Sequence, residues 1–488
     1  MNLVLTGATG FLGRALALRL ARDGHRITAW VRDPVRARSL LGPDAALIQV
    51  GDRAALAAAV AQADAVINLA GEPIVGGVVR GRWTRRRKAQ LIASRVGATR
   101  AITAAIRTAA AAGHAPVLIS ASAVGYYGDR GDAVLTEDAS SGNGFAAELC
   151  WAWEDAAMSV RGVAARVVVA RIGIVLGREG GALAKLVPLT RAWLGGPIAG
   201  GAQWTPWIHL EDAVEAIVHA LVTPSVEGVV NLVAPNPVRQ RDFARALGQA
   251  LDRLAIVPAP GFALRALLGE AATVLTASQR VVPAALVASG FRFRHPDLGE
   301  ALRDLTATPS VGIRRLARGE APDRPYTRAR RPRYVLVART ELAAPLAQVF
   351  AFFSSADNLP LLTPPTMAFD IETARPIAMA PSTVIDYRLR ILGIPGRWRT
   401  VIEEWRSPRP EAAEASFVDA QHRGPYRAWW HEHRFHAAGG HTVMEDVVYY
   451  APPLGLLGAL VNRVMVAGQL RRIFGYRAAM IRQRFGAA

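Results

Sequence analysis

The stretch LVLTGATGFLGRALALRL, Leu3 to Leu20, decides the reading of the first half of the chain. An apolar run suited to a buried strand ends at Thr6, glycines follow at positions 7, 10 and 13, and an Ala/Leu helical pattern begins at once. Glycines permit a tight turn and a close approach of the main chain to a diphosphate. The helix start then offers free N–H groups and the positive end of its dipole to that anion. Gly7, Thr9, Gly10, Phe11, Leu12 and Gly13 are therefore read as the loop of a dinucleotide site.

The second strand ends in WVRDP. Arg32 lies about 20 residues beyond the loop, where an acidic residue takes the ribose 2′-hydroxyl of NAD and an arginine suits the 2′-phosphate of NADP. Asp33 adjoins it, so NADP(H) is favoured over NAD(H) without excluding the latter. Asp52, after the third strand, is placed to accept from the adenine amino group. Leu69, Ala70 and Gly71, after the fourth, would run along the cofactor.

Up to about residue 170 short apolar strands alternate with Ala-rich helices: NLVLTG, RITAWVR, ALIQVGD, AVINLAG, PVLISAS and ARVVVARIG. Continuous β-type runs suit strands covered on both faces, so a doubly wound, Rossmann-type parallel sheet is expected. Residues 171–308 read as a smaller substrate lobe, completing a domain over 1–308, and the Arg/Pro/Gly-rich stretch 309–332 reads as a basic linker. From 333 to 488 Trp and His become common, strands alternate and helices flank them, which predicts a second, α+β domain.

Lys and Arg number 58 against 39 Asp and Glu, a net charge of +19. No nucleic-acid motif accompanies the basic runs at 80–88 and 314–333, so no nucleic-acid role is expected, and weak attraction to anionic membranes is the lesser alternative. One cysteine, Cys150, excludes an internal disulfide. No secretory signal or apolar span of roughly 20 residues is read, so the expected compartment is the cytoplasm.

Together TGATGFLG, NLAGEPI, SRVGATR, SASAVGYYGD and WIHLEDAV resemble the extended short-chain dehydrogenases, and within them the atypical "epimerase family", NAD-dependent epimerase/dehydratase-like. SQRVVPAALVASGFRFRHPDLGEAL, 278–302, is similar to that group's short C-terminal module. The resemblance implies a Rossmann fold that binds NADP(H). ELAAPLAQVFAFFSSADNLPLLTPP, RWRTVIEEW and GPYRAWWHEHRF resemble the START-like, or SRPBCC, helix-grip proteins, which implies a cavity for a hydrophobic ligand.

In the wider dehydrogenase family a tyrosine hydroxyl shuttles a proton, a lysine four positions later lowers its pKa, and a serine orients the substrate oxygen. Ser122 matches the serine. Phe145 and Leu149 stand where the tyrosine and lysine belong, and neither transfers a proton. Tyr126 and Tyr127 are the replacement candidates, with Arg171 or Lys185 as a source of positive charge. Two readings stay open: an NAD(P)-dependent oxidoreductase acting on a hydrophobic small molecule, or a cofactor binder or lipid carrier without turnover.

His209, just before a helix, is a low-rank substrate residue. His431 and His433 lie two apart on a strand and so face one way, together with Trp429. They are read as lining the second domain's cavity. A metal needs at least one more convergent ligand, none stands at recognisable spacing, and no metal site is expected. The oligomeric state is left open.

Overall fold

The computed structural model describes residues 1–42, 45–75, 81–178, 180–307, 311–317, 319–391, 393–409, 413–453 and 458–486. The chain divides into two compact units, one of residues 1–37 and 45–307, the other of residues 38–44 and 308–488.

In the first unit the six apolar runs are strands: β1 (Asn2–Thr6), β2 (Arg26–Val31), β3 (Ala46–Gln49), β4 (Ala65–Asn68), β5 (Val117–Ala123) and β6 (Arg166–Ile172). A seventh, β7 (Gly228–Leu232), joins them in the order β7-β6-β5-β4-β1-β2-β3. Every pairing is parallel. The chain winds outward from β1 to β3, returns, and winds the other way from β4, so the order reverses between β1 and β4, where such sheets bind nucleotides. The helices α1 (Phe11–Arg22), α2 (Arg53–Val60), α3 (Ala98–Ala111), α4 (Phe145–Met158) and α5 (Leu210–Val222) connect these strands. Val4, Val66, Leu118 and Val167 meet Ile102 and Ile106 of α3 in one buried cluster. Each such side chain contributes about 1.5–3 kcal/mol.

Two boundaries differ from the sequence reading. Residues 171–308 are not all lobe, because β7 returns to the main sheet beside β6. The stretch 309–332 is not a bare linker. It carries β8 (Val311–Arg315), paired antiparallel with the next strand, and the short helix α6 (Pro325–Arg330). Ile313 packs on the second unit's core, which anchors β8.

The rest of the second unit comprises β9 (Tyr334–Leu342), α7 (Leu346–Phe353), β10 (Asp370–Ile371), β11 (Val384–Ile391), β12 (Ile394–Arg406), β13 (Glu414–Arg423), β14 (Ala428–Ala438), β15 (His441–Ala451) and α8 (Ala467–Phe485). The eight strands form one sheet, ordered β8-β9-β15-β14-β13-β12-β11-β10, with every pairing antiparallel. Leu470 and Phe474 of α8 pack against Leu336, Trp429 and Val448 of the sheet, and Phe350 and Phe353 of α7 against Phe417 and Phe435. Among the described residues no helix is long and apolar enough to cross a membrane.

Candidate functional site

At the switch point Gly7 has φ +69°, and a Cβ there would lie 2.4 Å from the Leu69 carbonyl oxygen. A Cβ on Gly13 would lie 2.1 Å from the Gly7 oxygen. Only glycine allows these approaches, and they draw the loop after β1, with Thr9 half-buried on it, against Leu69, Ala70 and Gly71 after β4. A Cβ on Gly10 would meet that same oxygen at 3.1 Å and nothing else within 4 Å, so the space over the start of α1 is open. No side chain caps α1, and the Phe11 and Leu12 amides have no acceptor within the helix. The Phe11 ring is turned aside against Gly177 and Gly180, leaving its main chain at the cradle. Thr6 Oγ1 donates to Asn68 Oδ1 (2.7 Å) and Asn68 Nδ2 to Thr99 Oγ1 (2.8 Å), which fixes the two loops to each other.

Arg32 is exposed at the end of β2 and pairs with the Glu72 carboxylate. Arg95 donates to the Glu72 carbonyl at 2.8 Å and Arg87 lies 3.7 Å from its carboxylate, so this corner is cationic. The uncapped helix start, the glycine cradle and this corner fit a dinucleotide. The Asp52 side chain caps α2, accepting from the Ala55 amide at 2.9 Å, a local role that any βα turn asks of an aspartate.

Ser122 and Arg171 stand opposite each other on β5 and β6. Ser122 Oγ donates to Glu154 Oε1 at 2.6 Å. Arg171 clasps the same carboxylate with Nε and Nη2 at 2.9 and 2.8 Å, and its Nη1 donates to the Tyr127 hydroxyl at 3.0 Å. Tyr127 in turn donates to Asn231 Oδ1 at 2.7 Å. All five side chains are buried. Burial opposes the Arg171 charge, but the hydrogen bonds and charge of Glu154 outweigh it and raise its pKa. Burial likewise pushes the Tyr127 phenol up, against the pull of Arg171. The Ser122 and Tyr127 hydroxyls, both read as catalytic candidates, are thus hydrogen-bonded inward. Tyr126 is half-buried, with the Arg171 guanidinium 3.5 Å from its ring centre. Arg171 therefore is the positive charge beside the tyrosines.

Phe145 and Leu149 are core residues beside Trp83 and Trp153. The Lys88 ammonium, from another segment, lies 4.6 Å from the Phe145 ring centre and 2.5 Å from Glu270. Cys150 is buried, and that burial pushes its thiol up to about 11. Glu154 was missed in the sequence. Its signal was an arginine at a fully buried strand position, which requires an acid.

His209 caps α5, its Nδ1 accepting from the Glu211 amide at 3.1 Å, and its ring stacks on His295 at 3.7 Å. It is buried, so the substrate role is corrected to a capping one.

In the second unit a cavity has about 160 Å³ open to the centre of a water molecule. Aromatic and aliphatic side chains from the sheet, α7 and α8 line most of it, among them Phe353, Tyr387, Trp398, Trp429 and Phe474. Trp429, His431 and His433 all reach it, as read. One end is polar: Asp419, His431, His433 and Arg477. Strand register assembles this end, with Asp419 opposite His431 and Asp446 opposite His433. His433 Nε2 lies 2.8 Å and His431 Nδ1 3.4 Å from Asp419 Oδ2. His431 Nε2 and His433 Nδ1 each lie 3.0 Å from Asp446 Oδ1. Arg477 Nε donates to Asp446 Oδ2 at 3.0 Å. Burial works against the Asp446 charge, but Arg477 and the two histidines hold it well below the usual carboxylate range. Burial lowers His431. Asp419 converges on both histidines, which the sequence did not reveal, and with them it forms one of the groups whose donor atoms all lie within 4.8 Å.

Sequence comparison places the first unit. The profile described as "NAD dependent epimerase/dehydratase family" matches residues 3–232, and a "Domain of unknown function (DUF1731)" matches 259–305. The chloroplastic epimerase family protein SDR39U1 homolog of Arabidopsis thaliana is 40% identical over 304 residues, 62% of this chain and 86% of that protein. Epimerase family protein ML0860 of Mycobacterium leprae is 38% identical over 63% of this chain and 96% of its own. The crystal structure of human epimerase family protein SDR39U1 with NADPH superposes with a TM-score of 0.56 at 34% identity, covering 63% of this chain and 99% of that one. Strand order, glycine cradle and these matches agree: the chain belongs to the NAD(P)-dependent epimerase family, alongside the SDR39U1 proteins.

Proposed function

We propose that the chain is an NADP(H)-dependent oxidoreductase acting on an apolar small molecule, and that its second unit holds such a molecule. The observation that carries this reading is the glycine cradle over an uncapped α1, with Arg32 at the end of β2. The NADPH of the human SDR39U1 structure supports the phosphate-bearing cofactor. When bound, the dinucleotide supplies hydride-transfer chemistry. The Phe11 and Leu12 amides hold its diphosphate, and Arg32, exchanged from Glu72, meets the 2′-phosphate. Tyr126 is the hydroxyl of the three candidates left to donate a proton, with Arg171 against its ring. In the second unit, an antiparallel sheet and a long final helix beside an aromatic cavity support the reading of a helix-grip carrier of apolar ligands. The test is NADPH consumption with a panel of quinones, enones and apolar carbonyls. Turnover that Tyr126→Phe abolishes supports the reading.

A second reading rests on the inward commitment of Ser122 and Tyr127 and on Phe145 and Leu149: a cofactor-dependent binding or transfer protein. Tight NADPH binding with no turnover on any of the panel favours it.

A further inference from the structure

We propose that Asp419, His431 and His433 form a mononuclear site for a divalent transition metal at the polar end of the second unit's cavity. The inference starts from donor spacing. A metal bonded at about 2.0–2.2 Å sets neighbouring donor atoms roughly 3.0–3.5 Å apart. Asp419 Oδ2 lies 2.8 Å from His433 Nε2 and 3.4 Å from His431 Nδ1. The three side chains come from two adjacent strands, so their placement is as rigid as the ladder that carries them.

The groups behind these donors have the pattern that metal-binding histidines require. A ligating imidazole turns its other nitrogen to a carboxylate or carbonyl, which fixes its tautomer and orientation. Here one carboxylate, Asp446, serves both rings, 3.0 Å from His431 Nε2 and from His433 Nδ1. Arg477 holds Asp446 from the far side at 3.0 Å. Its Nη2 also lies 3.0 Å from His433 Nδ1, so ligation through Nε2 requires Nδ1 to give up that contact and donate to Asp446 instead. The buried Asp446 and the half-buried Asp419 face one guanidinium, so carboxylates outnumber guanidiniums at this end of the cavity, which favours a cation there.

All three donors line the cavity, so the unfilled coordination positions face the aromatic pocket. Two imidazoles with one carboxylate select iron(II), cobalt(II), nickel or zinc over the hard ions magnesium and calcium. A molecule with an apolar body and an oxygen-bearing head fits the pocket with that head on the metal. The other such grouping, His209, Glu211 and His295, lacks this form, because His209 Nδ1 already accepts from the Glu211 amide.

The experiment uses the full chain, free of any affinity tag and stripped with a chelator. It is titrated with cobalt(II), whose ligand-field bands report the site, and then with zinc as competitor. The expected result is one cobalt per chain, displaced by zinc. Asp419→Asn and His433→Gln each lose at least ~10-fold in affinity, and Asp446→Asn loses ~10–100-fold through the imidazoles it orients. A cooperative melting transition and a near-UV signal from the second unit's tryptophans like the wild type's show that each variant is folded. X-ray absorption on the cobalt-loaded wild type counts two imidazoles without any substitution. The proposal is overturned if the wild type binds no cobalt at tenfold excess, as a protonated histidine between two carboxylates predicts. It is equally overturned if the bound metal shows no imidazole or survives in folded Asp419→Asn and His433→Gln.

Discussion

Each unit of this chain holds a cluster of interacting polar and charged side chains, and the two clusters are built differently. In the first unit Ser122, Glu154, Arg171, Tyr127 and Asn231 are linked by a buried chain of hydrogen bonds that runs on to backbone carbonyls. In the second unit Asp419, His431, His433, Asp446 and Arg477 also touch one another, but Asp419, both histidines and Arg477 open on a cavity. The first has an equal number of carboxylates and guanidiniums, one of each. The second has two carboxylates to one guanidinium. A polar cluster that is neutral and sealed fixes a core. One that is unbalanced and faces a cavity is arranged for something that arrives.

The largest effect that tests this contrast comes from Arg171→Met, which leaves Glu154 charged and buried. It is expected to destabilise the first unit by roughly 3–5 kcal/mol in urea unfolding. Arg477→Met should cost less, about 1.5–3 kcal/mol, because the histidines still face Asp446 and the cavity admits water. If the two losses are equal, the distinction between sealed and open clusters fails. Ser122→Ala removes one hydrogen bond to Glu154 and should cost about 1 kcal/mol, leaving NADPH affinity unchanged in fluorescence titration. A loss of turnover without a loss of stability would return Ser122 to the catalytic role that its burial argues against. Arg32→Ala, on the surface, should alter stability by less than ~0.5 kcal/mol and weaken NADPH about tenfold while leaving NADH unchanged. The smallest expected effect is at Cys150. With its thiol pushed up to about 11 by burial, the native chain should resist alkylation at pH 8 and react only when denatured.

How much of this could be read in the sequence follows from the range of each interaction. The glycine loop and the six apolar runs are local patterns, and β1 to β6 follow from them directly. β7 was absorbed into the lobe because GVVNL is short and follows a helix in a mixed region. The arginines of VGIRR hid β8, whose strand character comes from its partner β9. Asp52 and His209 were noticed for their chemistry, although each sits where a helix needs a cap. Glu154 and Asp419 were invisible for one reason. Their partners come from other elements, 17 and 32 residues away from Glu154 for Arg171 and Ser122. Asp419 meets His433 through a ladder register that no spacing along the chain encodes.

The pairing of Asp419 with His431 and of His433 with Asp446 also bears on how the eight-stranded sheet finds its alignment. Side chains alternate across a strand, so a slip of one residue in β14 would carry both imidazoles to the opposite face and bring Trp430 and Glu432 inward. Two stranded carboxylates would then be left without their nearest neighbours. The ionisable patch thus penalises misaligned ladders more sharply than an all-aromatic wall, which tolerates sliding. The same residues that await a visitor help the sheet to close in only one way.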